Sequence, residues 1–206
     1  MASSNRELEA KFFLTDLGEL EENIRALGAR LIQPRTYERN LRFDTPEGSL
    51  TQSAQVLRLR QDTVNHLTYK GPGEVKDGVS SRIEIEFTVG NFENARKFLL
   101  ALGYQISMIY EKYRIVYDLN GVLVTLDEMP FGKFAEIEGP DGTRIRAACH
   151  QMGLVWELRT LQSYALLFQT VQKNLGLDFR DLTFENFSKI RVNPSHLELA
   201  PADLKL

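Results

Sequence analysis

The chain has 206 residues, 43% of them hydrophobic and 26% charged, with a formal net charge of -3. That is room for one large domain or two small ones with a substantial core, at a composition ordinary for a globular protein. No global basic field draws nucleic acid or anionic lipid, so any site for a polyanion must be local.

The first predicted element is a strand at Glu7-Leu8-Glu9-Ala10-Lys11. Its period of two puts Glu7, Glu9 and Lys11 on one face and Leu8, Ala10 and Phe12 on the other. Asp16 and Glu19 mark a helix start, with Leu17, Leu20, Ile24 and Leu27 at helical spacing and Gly28 as its stop. A strand is expected over residues 37–44, turning at Thr45-Pro46-Glu47-Gly48. It returns through Val56-Leu57-Arg58-Leu59-Arg60, where both arginines share a face. Residues 66–70 form the next strand, broken by Gly71-Pro72-Gly73, and residues 74–80 are expected as a polar, mobile loop.

Arg82-Ile83-Glu84-Ile85-Glu86-Phe87 is the cleanest alternation in the chain. Asn91 caps a second helix, with Phe92, Ala95, Phe98, Leu99 and Leu102 as its apolar positions and Gly103 at its end. Glu111-Lys112-Tyr113-Arg114-Ile115 sets Lys112 and Arg114 against Tyr113 and Ile115. Asn120-Gly121 signals a hairpin, residues 122–127 return with Asp127 at the charged end, and a loop over 130–133 leads into Phe134-Ala135-Glu136-Ile137-Glu138. Further helices are expected at about 143–152 and 161–173.

The single cysteine, Cys149, excludes an internal disulfide framework and a cysteine-rich zinc site. Beside Ile145 and Met152 it reads as a buried structural thiol. His66, His150 and His196 lack metal-ligand spacing. Trp156 and the aromatics between Phe179 and Phe187 read as packing. The tail from Leu177 is expected to dock a short helix, with its last ten residues fraying. A faint repeat relates Glu7-x-Glu9 and its helix ending Ala26-Leu27-Gly28 to Glu84-x-Glu86 and its helix ending Ala101-Leu102-Gly103. With no h-region and no run of 18 apolar residues, a cytoplasmic protein without a membrane partner is expected.

Gathered together, the charged faces carry seven carboxylates (Glu7, Glu9, Glu84, Glu86, Asp127, Glu136, Glu138) and six cations (Lys11, Arg58, Arg60, Lys70, Lys112, Arg114). A closed barrel aims one face of every strand inward. With the apolar faces inside, four amphipathic helices would have nothing to cover. With the charges inside, the helices pack on an apolar outer wall. The expected fold is therefore α+β, a closed β-barrel with a charged, hydrated interior and helices outside. Mutual salt bridging would satisfy part of that interior. The other reading is a ligand of both signs. Lysine and arginine suit phosphoryl oxygens, and clustered carboxylates suit Mg²⁺ or Mn²⁺, so a metal-chelated polyphosphate would use both sets.

In that order the motifs resemble the CYTH superfamily, the triphosphate tunnel metalloenzymes. The matches are Glu7-x-Glu9-x-Lys11, Arg58-x-Arg60, Lys70 in Thr68-Tyr69-Lys70-Gly71, Glu84-x-Glu86, Lys112-x-Arg114, Asp127, Glu136-x-Glu138 and Ser163-Tyr164. The resemblance implies a closed antiparallel eight-stranded β-barrel, a tunnel domain over residues 1–175, followed by an extension over 176–206. It implies Glu7, Glu9 and Glu138 as principal ligands of Mg²⁺ or Mn²⁺, with Asp127 and Glu136 as second-site or water-positioning carboxylates. Lys11, Arg58, Arg60, Lys70 and Arg114 would bind phosphate. Lys112 would bind phosphate or, with its pKa lowered by neighbouring cations, act as a general base. Glu84 and Glu86 would position water, basic side chains or a metal.

The family comprises triphosphatases and class IV adenylate cyclases. The expected activity is metal-dependent hydrolysis of a triphosphate, inorganic triphosphate first and ATP or thiamine triphosphate after it. Conversion of ATP to cyclic AMP and pyrophosphate stands as the alternative, and a non-catalytic polyphosphate or nucleotide binder as the third. Two departures stand out. Arg42 occupies a position where relatives often carry tyrosine, as a further phosphate contact or a solvent-facing residue, and Lys133 stands where cyclase-like relatives carry an acid. A homodimer is the common form for small enzymes.

Overall fold

A computed structural model describes residues 6–204. In chain order it contains β1 (Arg6–Leu14), α1 (Leu17–Ala26), β2 (Arg30–Asp44), the single-turn α2 (Ser49–Gln52), β3 (Val56–Gln61), β4 (Asn65–Lys70), β5 (Glu74–Lys76) and β6 (Val79–Thr88). There follow α3 (Phe92–Ala101), β7 (Gln105–Leu119), β8 (Val122–Met129), β9 (Gly132–Glu138), α4 (Gly142–Gln151), β10 (Arg159–Thr160), α5 (Tyr164–Leu175), α6 (Phe184–Phe187) and α7 (Pro194–Leu197). Eight strands run β1-β9-β8-β7-β2-β3-β4-β6 and close through a β1–β6 pairing, every neighbour antiparallel. Strands β5 and β10 are appended to β6 and β1. The repeat in the sequence corresponds to β1-α1-β2 and β6-α3-β7: the two first strands pair with each other, and so do the two 15-residue last strands.

Alternation decides which face is which. The charged faces point into the ring and the apolar faces form its outer wall, covered by helices in two places. Helices α1 and α4 begin at Asp16 and Asp141, whose carboxylates accept from Gly18 N (3.1 Å) and Arg144 N (2.8 Å). They press Leu20, Ile24, Ile145 and Cys149 onto Phe12, Val124 and Ile137. The Cys149 thiol is fully buried, and burial pushes its pKa up to about 12. Helix α5 meets the inward face instead: Leu167, Phe168 and Val171 pack with Leu182, Phe187 and Leu197 and with Phe13 and Phe134, which share the face of Lys11 and Glu136, and the start of the helix lines the lumen. Helix α3 brings Phe92 and Leu99 to Leu41, Phe43 and Leu59.

Four expectations change. Strands β2 and β7 begin well before residues 37 and 111, because register shifts between Leu31, Gln33 and Thr36 let β2 carry Pro34 without ending. The loop expected over 74–80 is a hairpin, turning at Asp77 and Gly78 with φ of 51° and 78°. The outer face of β6 is not covered by a helix: Ile83, Ile85 and Phe87 are 48%, 46% and 54% exposed.

The tail, finally, is anchored where fraying was expected. Ala202 N donates to Phe13 O at 2.9 Å, and Asp203 accepts from the backbone of Thr15 (3.0 Å) and Asp16 (2.9 Å). Residues 205 and 206 of that tail lie outside the described residues, as do residues 1–5.

Candidate active site

All the charged residues gathered from the sequence, except Asp127, line one cavity of about 330 Å³ inside the ring. Arg42, Arg82 and Tyr110 line it as well. Eight cations (Lys11, Arg42, Arg58, Arg60, Lys70, Arg82, Lys112, Arg114) and six carboxylates (Glu7, Glu9, Glu84, Glu86, Glu136, Glu138) line it, and Asp127, Glu38 and Asp62 pair with Lys112, Arg114 and Arg60 from beside it, so the site offers both signs and no net positive charge. Lys133 sits on the outside, 3.5 Å from Asp16.

One corner is acidic. Strand pairing sets Glu9 directly across from Glu138, Glu7 across from Arg82, and Lys70 across from Glu84. Lys70 Nζ lies 2.7 Å from Glu7 and 3.0 Å from Glu84. Arg82 reaches Glu7 at 3.2 Å and Glu9 at 3.6 Å. Burial would raise the Glu7 pKa, but Lys70 and Arg82 outweigh it and hold it at about 2. Glu138 has no ion pair or side-chain hydrogen bond among the described residues; burial, then Glu7 and Glu84, push its carboxyl up to about 7. Glu84 is raised as well, by burial first and by Glu7, against the pull of Lys70.

A second group surrounds Glu86. Arg58 donates to Glu86 (3.2 Å), Thr68 (3.2 Å) and the Tyr110 hydroxyl (3.2 Å). Arg60 bridges Glu86 (3.2 Å) and Asp62 (3.0 Å), and His66 lies 3.2 Å from Glu86. Burial opposes ionisation of Tyr110, yet Arg58 and Lys112 lower its pKa.

A third group is a clamp. Asp127 is fully buried behind the cavity wall and does not line it, in contrast to its expected place among the metal-site carboxylates. Its two oxygens accept from Arg114 Nε (2.7 Å) and Nη2 (2.6 Å), Lys112 (3.2 Å) and the Tyr164 hydroxyl (2.7 Å). Glu136 accepts from Lys11 (2.9 Å) and Arg114 (2.5 Å). Burial works against the ionised Glu136, but Lys11 and Arg114 carry its pKa well below the carboxylate range. Lys112 lies 3.2 Å from Asp127 and 3.6 Å from the buried Glu38, so its nearest charged partners are carboxylates and not the cations expected to crowd it. Lys11 and Lys112 also sit over the Tyr164 ring, 4.6 Å and 5.5 Å from its centre.

Among the described residues no three Asp, Glu, His or Cys groups form a ready metal cage, because Lys70 and Arg82 hold Glu7 while Arg82 and Lys11 hold Glu9. The donor chemistry still fits a hard divalent cation: oxygen ligands only, on adjacent strands, with Glu138 left without an ion pair among the described residues. Arg82 is the residue that sequence reasoning left out, although alternation puts it on the face of Glu84 and Glu86. Glu38 and Tyr110 show the same period on β2 and β7.

A profile of the CYTH domain matches residues 5–146. A Vibrio parahaemolyticus protein named as a candidate adenylate cyclase superposes with a TM-score of 0.71 at 22% identity, over 79% of this chain and 97% of its own. The PH1012 protein of Pyrococcus horikoshii OT3 gives 0.65 at 25% identity, over 77% and 96%. A candidate adenylyl cyclase from Hippeastrum, described as revealing a dominant triphosphatase activity, gives 0.60 at 19% identity, over 80% and 95%. No curated protein matches at a significant level. Among the described residues no helix is long and apolar enough to cross a membrane.

Proposed function

The chain belongs to the CYTH domain family, and from that premise we propose that it is a metal-dependent triphosphatase. The observation that carries this reading is the cavity itself, where eight cations lie around three neighbouring carboxylates, one of them without an ion pair among the described residues.

Glu7, Glu9 and Glu138 would hold Mg²⁺ or Mn²⁺. A divalent cation bound there would withdraw charge from the phosphoryl oxygens and stabilise a leaving phosphate. Lys11, Arg58, Arg60, Lys70 and Arg114 bind the triphosphate, the arginines as planar forks and the lysines as point charges. Each exchanges part of its present carboxylate partnership for phosphate oxygens, so the cations are pre-positioned rather than recruited. Lys112, paired to Asp127 and Glu38, serves as a fixed cation and not as a base. Asp127 is a positioning residue that acts through Arg114, Lys112 and Tyr164. Glu86 is engaged by Arg58, Arg60, Thr68 and His66. Glu84, raised where Glu86 is lowered, is the one of that pair suited to orient the attacking water and take its proton.

Purified protein with Mg²⁺ or Mn²⁺ should release orthophosphate from a triphosphate. Cyclic AMP and pyrophosphate from ATP would assign the cyclase instead, and binding without turnover would assign a sensor. Glu9→Gln and Glu138→Gln should each lower kcat/KM by at least about a hundredfold; full activity in both removes the metal-ligand assignment.

A further inference from the structure

Strand β2 turns Glu38, Asn40 and Arg42 toward the interior, because residues directly opposite in a sheet share a face. Glu38 stands across from Lys112, Asn40 across from Tyr110 and Arg60, and Arg42 across from Met108 and Arg58, all of which line the cavity. Of the three, Arg42 reaches the cavity surface. Glu38 and Asn40 lie behind it, 1% and 0% exposed.

Neither Oδ1 nor Nδ2 of Asn40 makes a hydrogen bond among the described residues, and Glu38 Oε2, next along the same face, makes none either. Lys112 Nζ stands 3.6 Å from that oxygen, near enough for charge and too far for a hydrogen bond. Leaving a buried polar atom without a partner costs more than the bond it would make. Burial would raise the Glu38 pKa, but Lys112 and Arg114 outweigh it and hold it at about 2, so this oxygen carries charge and has the greatest need of a donor. Residues two apart on a strand stand roughly 7 Å apart at their Cα atoms, a gap that water can bridge between an amide and a carboxylate.

We propose that Glu38, Asn40 and Lys112 enclose a small ordered-water site behind the cavity wall, and that Asn40 is a positioning residue acting on Lys112 through it. There a water donates to Glu38 Oε2 and accepts from Asn40 Nδ2 and Lys112 Nζ, the number of partners usual for an internal water. Asn40 Oδ1 accepts from a water of the same cluster. With its oxygen hydrated, Glu38 attracts Lys112 without closing on it, and the ammonium stays on the side that faces the cavity. The effect on substrate rests on the triphosphate reading given above, and the water site itself does not.

A crystal structure of the wild-type protein should place a water within hydrogen-bond distance of both Asn40 and Glu38 Oε2. A dry site, or a direct bond from the Asn40 amide to a protein group, overturns the proposal. Asn40→Leu removes both polar atoms, while Asn40→Ser keeps a donor and an acceptor for water. Asn40→Leu should lower Tm and raise the calorimetric Kd of inorganic triphosphate with Mn²⁺ about tenfold, the size of losing one hydrogen bond to a charged group. Asn40→Ser should stay close to wild type. Both losses should shrink in a Glu38→Gln background, since the neutral amide has less need of the water. Equal losses in the two backgrounds, an equal loss from Asn40→Ser, or a higher Tm from Asn40→Leu overturns the role of Asn40. A protein that binds no inorganic triphosphate overturns the triphosphate reading alone, because the water position and the melting cycle are still measured.

Discussion

The acidic corner around Glu138 and the clamp around Asp127 are built from the same residue types, a few strands apart in one ring, and they behave oppositely. At Asp127 every oxygen is matched, by Arg114, Lys112 and Tyr164, and Glu136 beside it is held well below the carboxylate range after its burial is overcome by Lys11 and Arg114. At the other corner Glu7 takes the cations, and Glu138 is left with burial and like charge, at about 7. Burial alone therefore does not distinguish a structural acid from one suited to bind a cation. What separates them is whether the charges around each carboxylate close locally.

The largest effect should come from opening the clamp. Asp127→Asn leaves Arg114 and Lys112 without their shared partner, and breaking a buried pair of this kind costs about 3–5 kcal/mol. Urea unfolding measures it, and a loss below about 1 kcal/mol would make the two corners alike. The next effect is a pH dependence. In Glu38 the penalty of burial is outweighed by Lys112 and Arg114, which depress its pKa from 4.5 to about 2. The depressed value means a contribution present above pH 4.5 and lost as the pH falls toward 2, on the order of 3 kcal/mol. Glu38→Gln should therefore unfold more easily at neutral pH and show a flatter acid limb; parallel limbs in the two proteins would sink the assignment. The smallest effect sharpens the acidic corner. Arg82→Gln removes a competitor for Glu7 and Glu9, so Mn²⁺ binding without substrate should tighten by roughly fivefold, while triphosphate binding weakens. Unchanged or weaker Mn²⁺ binding would show that Arg82 does not compete.

The ring and its polar lumen were legible because a period of two assigns every strand residue to a face without any tertiary information. Glu7, Glu84, Lys112 and Glu136 could be placed together on that basis. Arg82 obeys the same period and could have been found by it. Depth could not, because alternation says which way Asp127 points but not that Lys112, Arg114 and Tyr164 would seal it off. Tyr164 comes from the first turn of α5, which lines the cavity, and nothing local in β8 encodes that approach. Which residues flank Arg42, Arg58 on β3 and Met108 on β7, depends on the pairing of three strands. The hairpin at Asp77-Gly78 was within reach, since that dipeptide is a strong turn signal.

Closure of the ring has a kinetic side. The acidic corner exists only once Glu9 on β1 meets Glu138 on β9 and Glu7 meets Arg82 on β6. These pairings are far apart in the chain, and such contacts form slowly because a long loop must be closed before any of them is rewarded. During synthesis one edge of the first strand therefore waits for the sixth strand, and the other until the ninth has emerged from the ribosome. Over that interval Leu8, Ala10 and Phe12 are open to aggregation, and a chaperone that shields one short N-terminal segment would protect the whole assembly.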